Sequence, residues 1–193
     1  MLAVSVKNEK KDCMTDDTLK NEIEKLKTDI LSENWEVVKT SADRLGQIGS
    51  DEVVHFLISL LALENSGIRD RAALALADIK DDRALEPLLT AIFKKENYNY
   101  NGTLVYALEF LNCSQKFKDV FKILFFETDE AKIGAYTILT EQEFDFTEQD
   151  LIEIKQMWED CKCKPEICPG FENKETKDMM QDAVEGFLTY LEE

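Results

Sequence analysis

Three thiols stand within eight residues of one another in Cys161-Lys162-Cys163-Lys164-Pro165-Glu166-Ile167-Cys168-Pro169. Thiolates that close are the raw material of a zinc site, which takes four ligands, often as cysteine pairs two residues apart. Here the gaps are one and four residues, and no fourth ligand stands nearby. Two readings stay open: a metal-dependent activity, or a proline-bounded loop whose thiols oxidise. No metal or cofactor is assigned. The single histidine, His55, sits among Val53, Val54, Phe56 and Leu57. General-base catalysis needs a partner that orients the imidazole, and none is identifiable, so His55 reads as a helical residue and no catalytic residue is assigned.

Two other stretches suit binding. Asn97-Tyr98-Asn99-Tyr100-Asn101-Gly102 offers two tyrosines, which supply large contact area at modest entropy cost. Tyr98 and Tyr100 either anchor a partner or fold back onto the chain. The segment from Glu141 to Asp150 carries five acids, Glu141, Glu143, Asp145, Glu148 and Asp150, around Phe144 and Phe146. The acids are expected to face a basic surface. The phenylalanines are expected to anchor a long elbow, with Thr147 capping the helix that follows.

The net charge is -17, and residues 127–193 alone carry 19 acids against 6 bases. Such a field repels phosphate backbones, which argues against nucleic-acid binding, and steers basic protein partners inward. Plain solubility is the alternative reading. The 44% hydrophobic composition supports a core, while 7 glycines and 3 prolines suit long helices better than many tight turns. No segment approaches the roughly 20 apolar residues of a membrane span. The opening MLAVSVKNEKKDC places its lysines after its apolar stretch, the reverse of a secretory signal, and five cysteines do not look like a disulfide framework. A cytoplasmic protein with reduced thiols is expected.

The elements that carry these residues recur. Shifted by 31 residues, Ser41 to Asp51 falls on Ala72 to Asp82, so that Leu45 meets Leu76 and Ile48 meets Ile79. Val54, Leu57, Leu60 and Leu61 then fall on Leu85, Leu88, Ala91 and Ile92. A third copy holds Ala107, Leu108 and Leu111 before a Cys113-Ser114 elbow, then Phe117, Val120, Phe121 and Leu124. A fainter fourth runs from Ala131 through Ile138 and Leu139 to Leu151, Ile154 and Trp158. Apolar spacings of three and four residues predict helices, and a period near 31 residues signals stacked repeats of helix, elbow and helix. The alanines Ala72, Ala73, Ala75 and Ala77 predict close helix approach, Asp81 and Asp82 a cap, and Pro87 a place in a first helical turn.

Ile68-Arg69, Ala72-Ala73, Ala75-Leu76, Ile79, Asp82 and Ala84-Leu85-Glu86-Pro87-Leu88, with Trp35-Glu36-Val37-Val38 and Leu45-Gly46-Gln47-Ile48-Gly49 before them, resemble the HEAT-repeat family, in particular short bacterial units of the phycobilisome-lyase type. The resemblance covers Asn34 to Phe93 best and fades beyond Phe126. It implies an all-α, right-handed α-solenoid whose second helices line a concave surface, and no single activity. The di-iron hydroxylases of this fold use paired His-Glu motifs, which one histidine followed by Phe56 does not provide. The glycosylases use a basic surface, which this charge contradicts. Lyase activity has no pigment-binding residue to support it.

The expectation is therefore about four HEAT-like helical hairpins (residues 34–64, 65–96, 97–127 and 128–160) in one domain over 16–193, after a mobile tail over 1–15. Helices around Ile23 and around Val184 cap the two ends, the second over 173–193. The expected function is non-catalytic protein binding, either neutralisation of a toxin as an immunity protein or a scaffold or adaptor role. The expected surface is His55, Ser59, Glu86, Thr90, Lys94, Lys118 and Lys122 on the second helices, with Tyr98, Tyr100 and the five acids.

Overall fold

The structure, a computed structural model, describes residues 16–191. The tail expected over 1–15 and the last two residues lie outside them. Ten α-helices account for most of the described chain: α1 (Asp16–Asp29), α2 (Trp35–Ile48), α3 (Asp51–Leu60), α4 (Ser66–Ile79), α5 (Leu85–Ile92), α6 (Gly102–Leu108), α7 (Phe117–Phe126), α8 (Asp129–Glu141), α9 (Glu148–Cys163) and α10 (Lys174–Leu188). No strand occurs among the described residues.

The helices alternate between two rows to form an α-solenoid. First helices α2, α4, α6 and α8 pack on one another in succession, and α3, α5 and α7 each lie against the first helix that follows. Among the described second helices only α7 and α9 pack directly on each other to any extent, and less extensively than the first helices do. α1 packs on α2, and α10 packs on α8 and α9, so each end of the stack is covered.

Small residues explain the tight first row. A Cβ placed on Gly46 would stand 3.4 Å from the Ala75 Cα, so α2 and α4 approach nearly backbone to backbone. Ala72, Ala73, Ala75 and Ala77 are all buried. A larger side chain there would push the helices apart. The elbows repeat as well. Gly49 and Lys80 both adopt left-handed backbone (φ 54° and 58°), and each donates its N–H to a carbonyl four residues back, Leu45 or Leu76. Glycine takes this conformation freely, whereas Lys80 carries a Cβ into it. Asn34, Ser50 and Asn65 cap α2, α3 and α4, and Asp81 caps the short turn Asp82–Ala84 that leads into α5.

Three local features differ from the sequence-based expectation. Lys95–Tyr100 is a 3-10 turn, because the buried Asn97 amide donates to the Ala91 carbonyl at 2.8 Å and draws the chain back onto the end of α5. α6 stops at Leu108, so Leu111 is buried from the turn that follows. Cys161 and Cys163 belong to the last turn of α9 and not to a loop, because Leu151, Ile154, Trp158 and Cys161 continue one buried helical stripe.

Toward the C-terminus the core becomes aromatic. Phe117 lies 5.0 Å from Phe121 and 4.9 Å from both Phe146 and Phe187, ring centre to ring centre. Phe125 stacks on Trp158, which meets Phe171.

Two cations are buried in equivalent places. Arg69, fourth residue of α4, donates Nη1 to the Leu63 carbonyl at 3.2 Å. Lys132, fourth residue of α8, donates Nζ to the Leu124 and Phe125 carbonyls at 3.1 and 2.9 Å. Lys132 thereby satisfies carbonyls in the last turn of α7, where the helix dipole also favours a cation, and Arg69 satisfies one in the turn that follows α3. Burial pushes the Lys132 amine down to about 8.

Candidate binding face

Three of the second helices present polar residues four positions apart: His55 and Ser59 on α3, Glu86 and Thr90 on α5, Lys118 and Lys122 on α7. Spacing of four places each pair on one helical face. The hydroxyls turn inward to the backbone, since Ser59 donates to the Phe56 carbonyl at 2.6 Å and Thr90 to the Glu86 carbonyl at 2.9 Å. His55 is exposed, with Nδ1 2.8 Å from the Asp51 carbonyl oxygen and 3.5 Å from the Asp51 carboxylate.

Ion pairs tie these helices together at their N-terminal turns. Arg83 bridges Asp51 of α3 and Asp81 of the next elbow, and Lys116 reaches Glu86. Lys118 lies 2.9 Å from Asp150 and 3.1 Å from Glu153. Lys122 pairs within its own helix, with Asp119. The Arg83 guanidinium holds the Asp81 carboxyl down at about 2. These contacts are exposed, so each contributes little to stability and mainly sets which charges remain open.

Between α3 and α5, which make little direct contact, a groove of about 390 Å³ opens. Ile58, Leu61, Ala62, Pro87 and Ala91 line it together with Glu86, Thr90 and Lys94. Three residues singled out by sequence therefore converge with five that were not. Pro87 and Ala91 read as packing positions in a repeat, and their shared outer edge emerges only once α3 and α5 are placed side by side.

The acidic segment behaves in two ways. Between α8 and α9 the chain is extended, and Glu143 and Asp145 point outward while Phe144 and Phe146 turn onto Phe117 and Phe187. Glu141 and Glu148 are exposed at the flanking helix ends. Asp145 accepts from the Gln115 side chain and its N–H donates to the Ser114 carbonyl at 3.0 Å. Asp150 closes a capping box with Thr147, accepting from the Thr147 N–H at 2.9 Å and hydroxyl at 2.7 Å. With Lys118 beside it, its carboxyl is held at about 2. Asp150 thus builds the helix start, while the other four acids face solvent.

Tyr98 is half-buried and Tyr100 is exposed, on the turn that the Arg69 guanidinium holds through the Tyr100 carbonyl at 3.4 Å. On the opposite row, Tyr106, Glu109, Ile133 and Gly134 border a second cleft of about 350 Å³ that sequence did not single out. Of the three clustered thiols, Cys161 and Cys168 are buried and Cys163 is exposed. Among the described residues no group of three or more His, Cys, Asp or Glu is disposed to hold a metal, and no helix is long and apolar enough to cross a membrane.

No curated protein matches the chain. Computationally designed armadillo repeat proteins for modular peptide recognition, known from a crystal structure, align with it at a TM-score of 0.46 and 13% identity, over 89% of this chain and 94% of that one. The family model for HEAT repeats matches residues 23–136, more than half of the sequence. Repeats of this kind commonly mediate protein–protein interaction through extended surfaces, and their fold is typically non-catalytic. The stacked helices, the recurring elbows and this match make the chain a member of the HEAT-repeat family.

Proposed function

We propose that this chain acts without catalysis, by binding a segment of a basic protein partner in the groove between α3 and α5. The observation that carries the reading is the groove itself: an apolar floor from Ile58, Leu61, Pro87 and Ala91 with Glu86, Thr90 and Lys94 at its edge. An apolar channel with a few polar groups is what holds a peptide in one register. The surplus of acids, including the outward Glu141, Glu143, Asp145 and Glu148, steers a basic partner and adds to its on-rate. One partner bound tightly one-to-one is the form expected of a toxin-neutralising immunity protein. Several partners at modest affinity are the form expected of an adaptor.

The test compares the parent chain with two folded variants, Ala62→Arg/Thr90→Arg and Glu141→Lys/Glu143→Lys/Asp145→Lys/Glu148→Lys, as baits for interactors from the source cell. Asp150 stays in place because it caps α9. The expected result is one stoichiometric basic partner, lost with the groove variant and slowed in association, with weaker salt dependence, by the acid variant. A partner retained in full by the groove variant overturns the assignment of the groove.

A further inference from the structure

The cleft on the first row, between α6 and α8, combines exposed apolar walls with unpaired carboxylates. Tyr106 and Ile133, 46% and 60% exposed, form its walls with Leu74 of α4. Gly102 of α6 and Gly134 of α8 keep it open, and over each glycine leans a carboxylate of the facing helix. A Cβ on Gly102 would stand 2.7 Å from Oε2 of Glu130, and one on Gly134 would stand 3.3 Å from Oε1 of Glu109. Gly134 follows Glu130 by one helical turn, so the two acids flank about one turn of the cleft. Among the described residues neither carboxylate has an ion pair or a hydrogen bond. Glu109 is half-buried, so its charge gives up hydration with no cation in return, and its carboxyl is pushed up for that reason. One turn before Leu74 on the same face of α4, Asp70 keeps a buried Oδ1 that also has no hydrogen-bond partner.

We propose that this cleft is a second docking surface, which holds an arginine side chain of a partner protein with its guanidinium between Glu109 and Glu130 and against the Tyr106 ring. Arginine is the complement of such a lining. Its stem is apolar enough to pack on Leu74 and Ile133, its flat tip stacks on a ring, and its fork of N–H donors serves acceptors on two sides. Lysine brings a point charge that neither forks nor stacks as well. The same row already carries one such pairing, with the Arg71 guanidinium 4.7 Å from the centre of the Trp35 ring. The arginine must come from another protein, because the four in this sequence are engaged. Arg44 pairs with Glu22, Arg69 is buried on backbone carbonyls, Arg71 lies on Trp35, and Arg83 bridges Asp51 and Asp81. Residues 1–15 contain none. The cleft lies on the opposite row from the groove between α3 and α5, so the two surfaces are independent of each other.

The experiment titrates the full, isotope-labelled chain with N-acetyl-arginine amide and follows the backbone amides by NMR. Separate samples receive N-acetyl-lysine amide and the neutral isostere N-acetyl-citrulline amide. The arginine amide is expected to shift Gly102, Tyr106, Glu109, Ile133 and Gly134 saturably, the lysine amide to bind more weakly, and the citrulline amide to leave them unmoved. Glu109→Gln/Glu130→Gln, which keeps shape and removes charge, is expected to weaken arginine binding about tenfold or more. Tyr106→Ala keeps both carboxylates and is expected to bring arginine down to the level of lysine. Equal binding of arginine and citrulline amides, unchanged binding in the Gln variant, or shifts confined to the acids from Glu141 to Glu148 overturns the proposal. Equal binding of arginine and lysine amides by the parent chain overturns the choice of a guanidinium. Cleft amides that shift with protein concentration alone would mean that a second copy of the chain covers the cleft, which also overturns it. Amides around Ile58 and Ala91 report the groove in the same spectra, so binding there is told apart.

Discussion

The part of the molecule from α2 to α5 and the part from α7 to α10 pack the same kind of helix with side chains of different size. In the first, Gly46 meets Ala75 almost backbone to backbone, and the spacing of the helices is set by what is missing from them. In the second, Phe117, Phe121, Phe144, Phe146 and Phe187 pack ring on ring, and the extended segment before α9 supplies two of the rings. Small-residue contact admits few sequences, so it repeats recognisably. An aromatic plug can be assembled from rings at irregular positions, so it hides the repeat that it completes.

The sharpest way to break this contrast is to remove one ring. Phe121→Ala, at a fully buried position flanked by Phe117, Phe125 and Phe187, is expected to cost about 3–5 kcal/mol in denaturant unfolding. In hydrogen exchange the lost protection should concentrate in α7 to α10. Equal loss across α2 to α5 would mean that the two parts are one cooperative unit.

Lys132 gives the next largest effect. Its folded value of about 8 lies below the ordinary 10.5, so the fold disfavours the charged amine. Below pH 8 the amine is charged in both states and the full penalty applies. Between about 8 and 10.5 only the unfolded chain keeps the proton, and stability contributed by this group rises with pH by about 3 kcal/mol in all. Lys132→Met should flatten that part of the stability profile, and an unchanged slope would refute the assignment.

Ala75→Leu tests the other half, and overpacking against Gly46 is expected to cost about 1–3 kcal/mol. A change of under 0.5 kcal/mol in chemical denaturation would show that the first row has slack. The smallest effect compares two elbows. Lys80→Gly restores at the second what Gly49 provides at the first, and relief of the left-handed backbone is expected to add roughly 0.5–1 kcal/mol. A loss instead would mean that the Lys80 contact over the Phe110 ring outweighs the strain.

What could be read before the structure divides along the same line. Leu45 with Leu76 and Gly49 with Lys80 align by a simple shift, because each does the same steric work in its copy. Arg69 and Lys132 share a position too, yet no spacing rule marks a cation as buried, since its partners are backbone carbonyls that every residue carries. Asp150 was legible in principle: Thr147 and Asp150 have the spacing of a capping box, and that local signal competed with a run of acids that suggested a surface. The groove between α3 and α5 was half legible. Glu86, Thr90 and Lys94 stand out as exposed polar positions, but Ile58, Leu61 and Pro87 count as ordinary repeat residues until two helices from different copies are adjacent.

The unequal tightness of the two rows has a mechanical consequence. Material joined firmly along one side and loosely along the other bends about the firm side, as a pleated bellows turns about its seam. Here the seam is the line through α2, α4, α6 and α8, and the pleats are the intervals between α3 and α5 and between α5 and α7, the first of which holds the groove. Small rotations about the Gly46 and Ala75 contact are levered outward across a helix diameter, so the width offered to a guest changes while the core stays filled.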